Sequence, residues 1–177
     1  MIDPSRLIYL HGSESDSNSG KARQFREWFP GMLTPDFKGT FKERMEQLYD
    51  LLGNERNWTI IGSSYGGLMG TVFTCDNPEQ VRRLVLLAPA LLRDTAGRFL
   101  DPLTGNHLAY SRRSVRGLQT IAVPTTTIHG TVDDVVPLEP VRKIAKELFS
   151  NLQYIVVDDN HRLHKTVHEI DWKSILE

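Results

Sequence analysis

Residues Ile60–Leu68 read IIGSSYGGL, and the reading of this stretch decides the fold. Two β-branched isoleucines, preceded by Trp58 and Thr59, predict the end of a buried strand. Gly62, Ser64 and Gly66 follow with G-x-S-x-G spacing, and the residues beyond them can continue as a helix. The pattern is therefore a strand, a sharp turn and a helix. A serine at the tip of such a turn sits in a strained backbone conformation, and side chains at Gly62 or Gly66 would strike the neighbouring strand and helix. The helix that follows brings partial positive charge and free N–H groups to any developing oxyanion. Glycine-rich strand-to-helix turns also occur without catalysis, so the rest of the chain has to supply what a reactive serine needs.

A serine hydroxyl is a weak nucleophile until a base removes its proton, and the base works best when a carboxylate orients it. After the β-branched run Thr125–His129 comes GTVDDVVP, which places Asp133 in a strand-to-helix loop. After the strand ending at Val157 comes DDNHRLH, which places His161 in the next such loop. Ser64, Asp133 and His161 thus follow one another just beyond the carboxyl ends of three strands, the edge where parallel sheets build their sites. This order selects Ser64, rather than Ser63, as the nucleophile. Asp133 has the capping of the next helix as a competing role, although Asp134 or Glu139 can serve there, and His161 competes with His164. His107, His129 and His168 are read as structural or solvated. No two histidines have HExxH spacing, so no catalytic zinc, and no cofactor, is expected. Tyr65, following the nucleophile, supplies one oxyanion N–H, and Ser13 in the loop LHGSES supplies the other, with Glu14 pointing to solvent.

The remaining segments fit the same plan. Leu7–Leu10 is a short apolar run of the kind found in a parallel strand covered on both faces. A helix is predicted over Lys21–Phe29 with Ala22, Phe25, Trp28 and Phe29 at helical spacing, and a short strand over Met32–Thr34. A second helix over Thr40–Leu52 would turn Phe41, Met45, Leu48, Leu51 and Leu52 inward and end at Gly53. Further elements are expected at Trp58–Ile61, Gly67 to about Thr74, Val81–Ala88, Pro137–Phe149 and Tyr154–Val157, with a terminal helix over Lys165–Leu176 bent near Asp171. A phosphate-binding loop before Lys21 fails. Ser15 stands where its first glycine belongs, Ala22 replaces the magnesium ligand, and Glu14 and Asp16 would repel phosphate. The segment Ala90–Gly117 lacks clear periodicity and carries Arg93, Arg98, Arg112, Arg113 and Arg116, which reads as a lid, a binding loop or a partly helical stretch, with solvated arginines or a preference for anionic substrates. Alternating strands and helices predict one α/β domain over residues 1–177, a mostly parallel sheet covered on both faces.

The chain has 177 residues and a formal net charge of −1, which gives no general reason to expect nucleic acid or an anionic membrane as partner. A single cysteine, Cys75, excludes an internal disulfide and fits a reducing compartment, where it would be a buried small residue. The start, MIDPSRLIYLHG, has too short an apolar run for a signal peptide or a membrane span, so a cytoplasmic protein is expected.

With LIYLHG, IIGSSYGG, GTVDDVVP and the pair Asn160–His161 in place, the chain resembles the small α/β-hydrolases, most closely the YqiA-type esterases. SGKA in the first helix and DPLTG in the connecting segment extend the likeness over nearly the whole chain, while HGTVDD before the acid and HRL after Asn160 depart from it. The resemblance implies a compact α/β-hydrolase fold lacking the first strands of larger relatives, with a short cap-like connecting segment. It also implies a serine carboxylesterase acting on small-molecule esters, with Ser64, Asp133 and His161 as triad and the Ser13 and Tyr65 amides as oxyanion hole. A thioesterase or acyltransferase, or a receptor that keeps the fold without catalysis, are the alternatives.

Overall fold

A computed structural model describes residues 2–108 and 120–177. Its centre is a five-stranded parallel sheet of β1 (Leu7–Leu10), β2 (Trp58–Ser63), β3 (Val81–Leu87), β4 (Thr125–Gly130) and β5 (Leu152–Val157), lying side by side in chain order. Around it stand α1 (Gly20–Trp28), α2 (Phe41–Leu52), α3 (Tyr65–Asp76), α4 (Leu138–Leu148), α5 (His164–Glu169) and α6 (Trp172–Leu176). Every residue of β1, β2 and β4 is buried, as continuous apolar or β-branched runs require when helices cover both faces.

The chain leaves β1 in one direction and returns in the other. The expected strand at Met32–Thr34 reduces to one parallel bridge, Ile8↔Leu33, on the outer edge of β1. There the Tyr9 N–H donates to the Leu33 carbonyl and the Leu33 N–H to the Leu7 carbonyl, both at 2.9 Å. β2 then pairs with the other edge of β1. Because crossovers between parallel strands are right-handed, connections running in opposite directions place their helices on opposite faces. Accordingly Ala22 and Phe25 of α1 pack with Leu7, Tyr9 and Ile61, while Met45 and Leu48 of α2 pack with Ile8, Leu10 and Ile60. α3 and α4 join α2's side, and α5 and α6 return to α1's. The reversal at β1 opens a crevice at the carboxyl ends of the strands, where ligands of such sheets bind.

Local chemistry sets the helix ends. Thr40 and Glu43 form a reciprocal capping box, the Glu43 side chain accepting from the Thr40 N–H at 2.7 Å and the Thr40 hydroxyl from the Glu43 N–H at 3.3 Å. Leu51, expected inward, is 44% exposed. It lies about 100° around the helix from the centre of the stripe formed by Phe41, Met45, Leu48 and Leu52, which already fills the contact. The terminal helix is two helices rather than one bent helix. Ile170 is extended, with φ −69° and ψ 137°, and the Asp171 side chain accepts from the Ser174 N–H to cap a fresh start at Trp172. Cys75 is half-buried against the core edge rather than enclosed. The expectations for Arg112, Arg113 and Arg116 lie outside the described residues.

α3 starts at Tyr65, two residues earlier than the glycine pair suggests, and is buried almost throughout. It lies so close to the sheet that a β-carbon on Gly66 would fall inside the Leu10 carbonyl group, and one on Gly62 would lie 2.5 Å from the Gly66 carbonyl oxygen. Both are backbone atoms that cannot swing aside. Gly66→Ala is therefore expected to destabilise the fold by about 3 kcal/mol or more, read as a lower midpoint in urea unfolding, whereas Gly20→Ala, with open space at its Cα, should leave it unchanged or slightly raised.

Candidate active site

Ser64 directly follows β2 with φ 53° and ψ −114°, a conformation that non-glycine residues adopt only when their surroundings impose it. Its N–H donates to the Leu87 carbonyl at 2.9 Å, and its carbonyl accepts from the Gly67, Leu68 and Ala90 amides. The turn thus aims the hydroxyl at the crevice, and His161 meets it there. Nε2 of His161 lies 3.0 Å from Oγ of Ser64, and Nδ1 lies 2.8 Å from Oδ2 of Asp133. A carboxylate only accepts, so Nδ1 carries the ring hydrogen and Nε2 is free to take the serine's proton. The Asp133 side chain is fully buried and that of His161 is 16% exposed. The three residues singled out in the sequence are thus brought into one hydrogen-bonded line.

The loops that carry them are built from local hydrogen bonds. Oδ1 of Asp133 accepts from the Val135 and Val136 amides at 2.9 and 2.7 Å, so the carboxylate folds its own loop and does not cap α4, which begins after Pro137. Asp159 shapes the histidine loop in a similar way, accepting from the Thr166 N–H and hydroxyl at 2.9 and 2.8 Å. The two loops interlock. The Thr131 N–H donates to the Val157 carbonyl and the Val132 N–H to the Asp159 carbonyl, an approach that leaves no room for a β-carbon at Gly130. His164, the competing histidine, begins α5.

Beside Ser64, the Gly12–Ser13 loop is fixed from behind. His11 is buried. Its Nε2 accepts the Phe37 N–H at 2.9 Å, so its Nδ1 carries the hydrogen and donates to the Gly12 carbonyl at 2.7 Å. Burial lowers the pKa of this imidazole, which favours the neutral ring that the pairing needs. Arg44 from α2, only 7% exposed, donates to the carbonyls of Gly12, Ser13 and Gly39 at 3.4, 3.2 and 3.2 Å. In a trans peptide the N–H points opposite to the carbonyl, so holding the Gly12 carbonyl also sets the direction of the Ser13 N–H. The same guanidinium lies 5.4 Å over the ring of Tyr65, whose hydroxyl donates to Asp101 at 3.2 Å. Asp101 also accepts from the Leu103 N–H, tying the DPLTG turn to the residue after Ser64. Glu14 is exposed, as expected. His11, Arg44 and Asp101 carried no separate signal in the sequence, because what they hold lies far away along the chain. Among the described residues, no three His, Cys, Asp or Glu side chains are grouped to hold a metal ion, and no helix is long and apolar enough to cross a membrane.

The alpha/beta hydrolase fold family matches residues 15–111, more than half of the chain. The chain belongs to that family. Solved structures agree on the fold of this α/β-hydrolase. A protein of Agrobacterium vitis described as a hydrolase is 22% identical, with 97% of this chain and 87% of that one covered and a TM-score of 0.70. Alpha/beta hydrolase domain-containing protein 10 from mouse is 19% identical over 92% of this chain and 85% of its own, with a TM-score of 0.68. A monoacylglycerol lipase of Paleococcus ferrophilus is 16% identical over 96% and 93%, with a TM-score of 0.64. No curated protein sequence matches the chain.

One charged group of this α/β-hydrolase lies beneath the serine and outside the hydrogen-bonded line. Nζ of Lys21, near the start of α1, is 3.3 Å from Oγ of Ser63, the last residue of β2. Burial, with the nearby Arg162 charge, pushes its pKa down to about 8, against the weaker pull of Asp159. Its ordinary value is 10.5. Between these values the unfolded chain holds a proton that the folded chain has released, so stability rises with pH across the window, and below it the full cost of burying the charge remains. Lys21→Met should raise the melting temperature at pH 7, by up to about 3 kcal/mol of stability, and the gain should shrink between about pH 8 and pH 10.5. An equal gain at both ends of that window would show that charge burial is not its source.

Proposed function

We propose that this protein is a serine hydrolase that cleaves carboxylic esters through an acyl-enzyme. The observation that carries the reading is His161, held between Oδ2 of Asp133 at 2.8 Å and Oγ of Ser64 at 3.0 Å. Ser64 Oγ attacks the ester carbonyl while Nε2 of His161 takes its proton, and Asp133 holds the ring and offsets the charge of the imidazolium. The carbonyl oxygen becomes an oxyanion and receives the N–H groups of Tyr65 and Ser13, whose directions are set by the start of α3 and by the Arg44 and His11 hold on Gly12. His161 then returns the proton to the departing alkoxide. Water, deprotonated by the same nitrogen, releases the acid and restores Ser64.

Ser64→Ala should lower turnover of a short p-nitrophenyl ester by about 10⁴-fold or more and abolish labelling by a fluorophosphonate, with the melting curve retained. Wild-type turnover in that variant would sink the reading. Arg44→Met should reduce kcat by roughly 10- to 100-fold with little change in KM, because it frees the oxyanion loop and leaves the nucleophile in place. A pure rise in KM would instead place Arg44 in substrate binding.

A further inference from the structure

We infer that His129 is a positioning residue for the triad acid, a fixed strut on β4 that holds Asp133 in the orientation His161 requires. The inference rests on the hydrolase reading, and its own evidence is the surroundings of a second, completely buried histidine. Nε2 of His129 lies 3.0 Å from the Val136 carbonyl oxygen and 3.2 Å from Oδ2 of Asp133, with both side chains at 0% exposure. Each of those atoms can only accept, so Nε2 bears a hydrogen. It donates to Val136, and its positive end also faces the carboxylate. Nδ1 lies 2.9 Å from the Tyr154 hydroxyl. In the neutral ring Nδ1 can only accept, so the tyrosine donates to it. Burial raises the Tyr154 pKa, keeping that hydrogen in place, with the Arg142 guanidinium 5.8 Å over the tyrosine ring and Glu139 3.5 Å from Arg142 on the outer side. The tautomer of His129 is thereby set from both ends.

The same peptide segment is held twice. The Val136 N–H gives its hydrogen to Oδ1 of Asp133 at 2.7 Å, and the Val136 carbonyl takes the hydrogen of His129. Oδ2 faces two ring N–H groups, those of His161 at 2.8 Å and His129 at 3.2 Å. A carboxylate restrained on all sides cannot rotate without losing a partner. Apolar packing secures only the far end of the loop, where Val136 is 8% exposed in the core, while Val132 and Val135 on either side of the acid are 61% and 65% exposed. The shape of the loop therefore depends on hydrogen bonds anchored to the strand, and His129, four residues before the acid, is that anchor.

Four variants test this: His129→Leu, His129→Gln, His129→Asn and Ser64→Ala, each followed by ester turnover, thermal unfolding and the ¹H NMR signal of the His161 ring N–H. His129→Leu should melt cooperatively yet lose about 10- to 100-fold in kcat with KM within about twofold of wild type. The His161 N–H signal, sharp in wild type, should broaden as the carboxylate gains freedom. His129→Gln, whose amide N–H reaches the position of Nε2, should recover most of the loss, and the shorter His129→Asn should not. If His129→Leu does not fold, the Gln and Asn pair makes the same comparison. Wild-type kcat in His129→Leu, or equal impairment in Gln and Asn, overturns the inference. Turnover retained by Ser64→Ala overturns the hydrolase reading instead.

Discussion

The backbone of Gly66, in the first turn of α3, meets the carbonyl of Leu10 at the end of β1 so closely that no β-carbon fits between them. Much of the site follows from that approach. A helix lying across the ends of β1 and β2 has to begin at once after β2, which leaves a single residue, Ser64, to make the turn at φ 53°. Such a conformation costs on the order of 1–3 kcal/mol. It persists because β3 supplies the Leu87 carbonyl to the Ser64 N–H, and the segment just beyond β3 supplies the Ala90 N–H to the Ser64 carbonyl. The strain is held by β3 and the residues just beyond it, and the direction of the hydroxyl is fixed by the backbone.

Two cations, Arg44 buried and Lys21 half-buried, lie near this turn and differ in how they are accommodated. Arg44 has three carbonyl acceptors and an aromatic face, and its charge is spread over a planar group that is weakly hydrated. Burying it while orienting the loop beside Ser64 is consistent with its position on α2, between that loop and Tyr65. Lys21 has a single hydroxyl at 3.3 Å and the distant charges of Arg162 and Asp159. A compact ammonium left so thinly solvated has its pKa lowered, so its cost to the fold is full below about pH 8 and fades as the pH rises towards 10.5. The same net charge thus steadies one neighbour of Ser64 and burdens the other.

The sheet was legible because buried parallel strands are written as unbroken apolar or β-branched runs, as in Leu7–Leu10 and Thr125–Gly130. Ser64, Asp133 and His161 were legible because each follows such a run in a short loop, and glycines mark the tightest approaches. Helix faces were less so. Leu51 shares the spacing of its neighbours yet lies off the contact, and the break before Trp172 depends on Asp171 capping a new helix, which periodicity does not reveal. Arg44, Asp101 and His129 were hidden for another reason. Their partners are set by tertiary placement, as with Arg44 and Ser13, 31 residues apart, and nothing in the local pattern distinguishes them from solvated charges. The DPLTG turn is a partial exception, since its aspartate proves to hold both its own turn and the hydroxyl of Tyr65.

His129 and His161 show how little the residue type alone decides. Both face Oδ2 of the same aspartate, at 3.2 and 2.8 Å. His161 turns its other nitrogen to a serine hydroxyl at the edge of solvent, so that nitrogen can take a proton and give it back. His129 has its other nitrogen closed by the Tyr154 hydroxyl and no exposed surface, so both ring nitrogens are already engaged within the fold. One imidazole is placed to exchange protons and the other to bear hydrogen bonds. The difference lies entirely in what stands against the second nitrogen, and that is decided by β5, a strand whose tyrosine is 25 residues further along the chain.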